Sequence, residues 1–96
     1  MQLHDFGSGS DAVVTVPANV DKSQVITYIV ASYASAPTGG YLEVKAGTEV
    51  IFKVQLTAVG PFVFEPYLQG NRNETMTITL KASGSIHAYL NVRVKD

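Results

Sequence analysis

Apolar and polar residues alternate along most of this chain with the period of two that marks a strand with one wet face. Over Glu74–Ala82, Met76, Ile78 and Leu80 stand between Thr75, Thr77, Thr79 and Lys81. Over Ser85–Lys95, Ile86, Ala88, Leu90, Val92 and Val94 face inward, and His87, Tyr89, Asn91, Arg93 and Lys95 face outward. Tyr41–Ala46 carries Leu42 and Val44 inward. Glu49–Thr57 carries Val50, Phe52, Val54 and Leu56 inward against Lys53, Gln55 and Thr57. Shorter strands are predicted at Ala12–Val16, ended by Pro17, and at Phe62–Glu65, ended by Pro66.

One segment breaks the alternation. In Gln24–Ala34, Val25, Ile29, Ala31 and Tyr33 face one way with Thr27 among them, while Ile26, Tyr28 and Val30 face the other. Both faces are apolar, so both need cover. A helix over Asp21–Ala34, capped by Asp21 or Ser23, is the alternative. Val25, Ile26, Thr27, Ile29 and Val30 are all β-branched and favour the strand. Its second face is expected to lie under a neighbouring subunit, another protein surface, or its own Asn19–Ser23 and Ala34–Thr38 connections.

Turn chemistry joins these segments. Pro37-Thr38-Gly39-Gly40 is a proline–glycine turn, Ala46-Gly47-Thr48 closes a hairpin, and Ser83-Gly84 turns into the last strand. Tyr67–Asn73 is a polar loop. The fold class expected is all-β: an antiparallel β-sandwich of about seven strands, jelly-roll-like or Ig-like. Residues 1–11, with Gly7-Ser8-Gly9-Ser10 inside them, are expected to form a flexible N-terminal arm. Residues 12–96 form a single sandwich domain, with no linker to a second one.

Composition narrows the function. Charged residues are 16% of the chain and apolar ones 46%, against about 25% charged in an average soluble domain. Such a chain folds, and its low charge favours a homo-oligomer. The net charge is −1 and the seven basic residues are scattered singly, so nucleic acid is not an expected partner. No run is long enough for a membrane helix, and MQLHDFGSGSD has no signal-peptide core. Cysteine is absent, which removes disulfides and thiolate metal sites.

Catalytic chemistry finds no foothold. The letters Asp5-Phe6-Gly7 echo a kinase motif without its companions. The Gly-Ser tract opens no phosphate-binding helix. His4 and His87 lack metal-ligand spacing, and no Asp/Glu cluster matches a calcium loop. Ser85 and His87 share a strand face, but no acid is placed to complete a triad. Asn73-Glu74-Thr75 matches a glycosylation acceptor only by chance. The protein is therefore expected not to be an enzyme and to need no cofactor. The aromatics carry more. Tyr28, Tyr41 and Tyr89 on outer faces, with Phe6, Ile26 and Val30, are the candidate protein interface. Tyr67, Gln69, Asn71 and Asn73 are the candidate ligand loop, an aromatic among amides as sugar-binding requires. The lack of tryptophan weighs toward the protein interface.

Two stretches also bear a family likeness. Ala34-Ser35-Ala36-Pro37-Thr38-Gly39-Gly40-Tyr41-Leu42-Glu43-Val44 is one. Asn73-Glu74-Thr75-Met76-Thr77-Ile78-Thr79-Leu80-Lys81-Ala82-Ser83-Gly84, followed by Leu90-Asn91-Val92, is the other. With their spacing they resemble small β-rich virion structural proteins of tailed bacteriophages, and more loosely capsid cement or decoration proteins. The likeness spans most of Val13–Val94 and transfers no site residue. It implies a non-enzymatic homo-oligomer on the virion's capsid surface, with the major capsid protein as partner, bracing the shell. The alternative is a sugar- or receptor-binding module of a phage tail or fibre.

Overall fold

The computed structural model describes residues 1–8, 10–19, 21–82 and 86–95. Nine strands form in chain order: β1 (Gln2–Gly7), β2 (Ala12–Val16), β3 (Val25–Tyr33), β4 (Gly40–Ala46), β5 (Glu49–Leu56), β6 (Phe62–Phe64), β7 (Leu68–Gln69), β8 (Met76–Lys81) and β9 (Ala88–Val94). They make two antiparallel sheets. One runs β1-β9-β3-β6, with β7 also paired to β3; the other runs β2-β8-β4-β5. This is the all-β sandwich that the alternation predicts. The turn expected at Ser83-Gly84, and Ser85 of the Ser85/His87 pair, lie outside the described residues.

The core lies between the sheets. Ile29, Ala31, Leu90, Leu42, Val44, Ile78 and Leu80 are each fully buried, and Val14, Val92 and Val94 nearly so. Each of the Val, Leu and Ile side chains stabilises the fold by roughly 1.5–3 kcal/mol through burial. The β4–β5 hairpin closes over Gly47, whose φ of 63° suits a tight turn.

Four expectations need correction. The flexible arm is instead β1, an edge strand in register with β9 from Gln2↔Arg93 to Gly7↔Ala88. The Val13 amide donates to Asp5 Oδ2 at 2.8 Å, and Leu3 packs against the core. Leu3 is the one apolar residue on the inward side of this strand, too little to reveal it by pattern.

Second, the polar loop after Tyr67 contains β7, a two-residue strand on β3 with Val25↔Gln69 and Ile26↔Leu68. Third, Ile26 does not share the outer face with Tyr28 and Val30. The β3–β9 register slips between Ile26 and Tyr28, so Thr27 is an extra residue and Ile26 turns into the core at 0% exposure. Fourth, Val50 points outward. The β4–β5 register passes from Val44↔Phe52 to Lys45↔Val50, leaving Ile51 as the extra residue.

Candidate functional site

Two surfaces emerge from this frame. The first is an open groove of about 680 Å³ at the end of the five-stranded sheet. Its floor is the start of β3 and the end of β9, Val25 and Val94, both buried. Backbone bonds hold that floor on both sides. The Lys95 amide donates to the Val25 carbonyl at 2.8 Å, and the Gly70 amide to the Gln24 carbonyl at 2.9 Å. The groove is thus built on paired backbone, which keeps its shape without a ligand.

The walls are polar with one aromatic. Tyr67 lies just before β7 and is 65% exposed, the most exposed of the large apolar side chains among the described residues. Gln69 on β7, and Asn19, Ser23 and Gln24 on the β2–β3 connection, bring amides and a hydroxyl to the same space. Gln24 Nε2 donates to the Pro17 carbonyl at 3.3 Å, which orients the amide and leaves its oxygen available to accept. Lys22 and Lys95 complete the rim, with Lys95 Nζ 5.7 Å from the Tyr67 ring centroid.

The candidate ligand loop therefore divides. Tyr67 and Gln69 enter the groove. Asn71 and Asn73 do not line it, because both build the turn before β8. Asn71 Nδ2 donates to Glu74 Oε1 at 2.7 Å. Asn73 adopts φ 60°, a left-handed conformation that asparagine tolerates in turns, and its Oδ1 accepts the Asp21 amide from the β2–β3 connection. Asn19, Ser23 and Gln24 were missed because they are far from Tyr67 in sequence. The Gln69↔Val25 pairing and the Gly70–Gln24 backbone bond bring them alongside.

The second surface is the outer face of the five-stranded sheet. Register places Gln2, Arg93 and Tyr28 in one row, His4, Asn91, Val30 and Val63 in the next, and Phe6, Tyr89 and Ser32 in a third. His4 stacks on Phe6 with centroids 4.9 Å apart, and Phe6 meets Tyr89 edge-on at 5.9 Å. Arg93 lies over Tyr28, 5.4 Å from its centroid. Of the candidate interface residues, Phe6, Tyr28, Val30 and Tyr89 meet on this face. Ile26 is in the core, and Tyr41 sits on the far sheet beneath Lys53 Nζ at 4.3 Å. On the second face of β3, Tyr28 is thus partly covered by Arg93 of β9, and Val30 is paired with Val63 of β6.

Among the described residues, no three His, Asp or Glu side chains are grouped to hold a metal ion. No family model matches the chain, and no curated protein does. Solved structures do. The chain is similar to a carbohydrate-binding module, CBM36, solved in complex with calcium and xylotriose. The TM-score is 0.53 at 12% identity, covering 96% of this chain and 78% of that one. A second similar structure is the CBM36-1 domain of a multidomain xylanase from the hindgut metagenome of Trinervitermes trinervoides. Its TM-score is 0.49 at 13% identity, covering 97% of this chain and 77% of that one. At such identities the likeness with the first is one of fold, and the chain is a β-sandwich of that kind.

Proposed function

We propose that this protein is a non-catalytic carbohydrate-binding module whose ligand lies in the groove at the end of the five-stranded sheet. The observation that carries this is Tyr67. A tyrosine left 65% exposed at a groove rim contributes little to folding and offers a flat apolar ring to the C–H face of a sugar. Gln69, Asn19, Ser23 and Gln24 around it supply both donors and acceptors for ring hydroxyls. A few convergent polar groups around an apolar contact are the usual composition of a ligand site. A sandwich of the same fold was solved with xylotriose bound, so the architecture is compatible with this use.

The test is calorimetric titration against a panel of oligosaccharides, xylotriose included, with wild type and Tyr67→Ala. Binding is expected in wild type, with at least about a tenfold loss in the variant and an unchanged melting temperature. Silence across the panel, or full affinity in the variant, would sink the proposal.

The outer face of the five-stranded sheet supports a second function, that of a capsid decoration protein on a phage virion. Phe6 and Tyr89 are 55% and 38% exposed and meet edge-on on that face, and grouped exposed apolar side chains mark contact surfaces. The partner would be the major capsid protein or a further copy of this chain. Co-sedimentation with undecorated capsids tests it: Phe6→Ser with Tyr89→Ser should release the protein from the pellet.

A further inference from the structure

We infer that the groove selects saccharides bearing an anionic group, a uronate carboxylate or a sulfate ester. This rests on the carbohydrate-binding function proposed above and adds the class of sugar. It comes from how the cations are distributed.

Seven Lys and Arg side chains serve a chain of net charge −1, and most are occupied. Lys45 and Lys53 both meet Glu43, at 3.7 and 3.4 Å. Lys81 meets Asp11 at 3.5 Å, and Arg72 meets Asp21 at 3.8 Å. Arg93 lies over Tyr28 on the outer sheet face. Arg93, Lys22 and Lys95 have no carboxylate partner among the described residues, and of these Lys22 and Lys95 line the groove. Among the described residues, no Asp or Glu lines it with them. The charged side chains that line the groove among the described residues are thus both cationic.

The position of Lys95 sharpens the selection. Its ammonium lies 5.7 Å from the Tyr67 ring centroid, within cation–π range. An anionic ring stacked on Tyr67 gains an ion pair with Lys95. A neutral ring disturbs the cation and gains none. A lysine ammonium is a point charge that accepts carboxylate and sulfate alike, so the inference names the charge and leaves its source to the experiment.

The experiment titrates the full chain with three oligosaccharides matched in length: neutral, uronate-bearing and sulfated. It is run at about 20 mM and about 500 mM salt, where screening lengths differ several-fold. Wild type is compared with Lys22→Gln/Lys95→Gln and with Tyr67→Ala. One or both acidic ligands should bind more tightly than the neutral one, by about tenfold at low salt. The double lysine variant and high salt should each erase most of that preference, about fivefold per lysine at most. The readout is the ratio of acidic to neutral affinity, which should fall toward one in the double lysine variant, while Tyr67→Ala should weaken every ligand.

Whichever acidic arm is stronger identifies the anion. Equal binding of neutral and acidic ligands would overturn the inference and leave carbohydrate binding intact. No binding of any of the three would overturn both. A polyglutamate control that binds as tightly as the acidic sugars, and equally in Tyr67→Ala, would also overturn it, since charge alone would then account for the attraction.

Discussion

The Tyr33 hydroxyl donates to the Lys81 carbonyl at 2.7 Å, tying β3 to the end of β8 across the sandwich, while its ring is 2% exposed. Burial pushes its pKa up to about 12, and the Asp11 carboxylate adds to the rise. In the unfolded chain a tyrosine titrates near 10. Because the folded value is the higher one, the stabilisation is fully present below about pH 10 and is lost as pH rises toward about 12. Urea midpoints should fall over that window in wild type. Tyr33→Phe should flatten the fall and cost about 1 kcal/mol at pH 7 through the lost hydrogen bond. Parallel slopes in the two proteins would refute the assignment. Gly40 is the neighbouring constraint. A Cβ there would lie 2.8 Å from Tyr33 Oη, 2.7 Å from Pro37 Cγ and 2.8 Å from the Leu56 carbonyl oxygen. Gly40→Ala should therefore destabilise by about 1–3 kcal/mol, read as a lower melting temperature.

At the scale of elements, bulges decide which side chains are functional surface. Thr27 inserts one residue into β3, so that Val25 and Ile26 are both buried before Tyr28 turns outward. Ile26→Ala should cost about 2–5 kcal/mol by leaving a cavity. Tyr28→Ser, two positions on, should stay within about 1 kcal/mol because it leaves a half-covered outer face. Similar losses in both would contradict the bulge. The Ile51 bulge in β5 has a second effect. It interrupts an eight-residue edge strand that also carries Lys53, two devices that discourage edge-to-edge association. β1 protects the other side by covering β9. Removing residues 1–7 should lower the melting temperature and make the protein prone to associate through the bared β9 edge. An arm without structural role would leave both unchanged.

Over the whole molecule, the groove and the aromatic face belong to the same five-stranded sheet, and the other sheet supplies half of the core behind them. The groove floor is continuous with that core through Val25 and Val94. A ligand bound there draws only on the folded state. At a concentration of about 100 times Kd it should add about 2.7 kcal/mol of stability, raising the melting temperature by about 10 °C or more in a chain of this size. In Tyr67→Ala, with affinity about tenfold weaker, the shift at the same ligand concentration should fall to about half or less.

The sequence by itself determined the fold class and most of the buried set. Met76, Ile78, Leu80, Leu90, Val92 and Val94 fall inward by simple alternation, because a pleated strand leaves a side chain two orientations and water removes one. It also determined Tyr67 and Gln69 as an aromatic–amide pair. Tertiary structure alone decided the rest. Leu3 could not announce β1, since an edge strand needs only one apolar contact and a partner such as β9. Ile26 could not announce its burial, since a bulge is a property of two paired strands. Asn19, Ser23, Gln24, Lys22 and Lys95 could not announce a shared groove. Distances along a chain do not specify distances across a sheet, and that groove exists only where β7, β3 and β9 are held together by backbone hydrogen bonds.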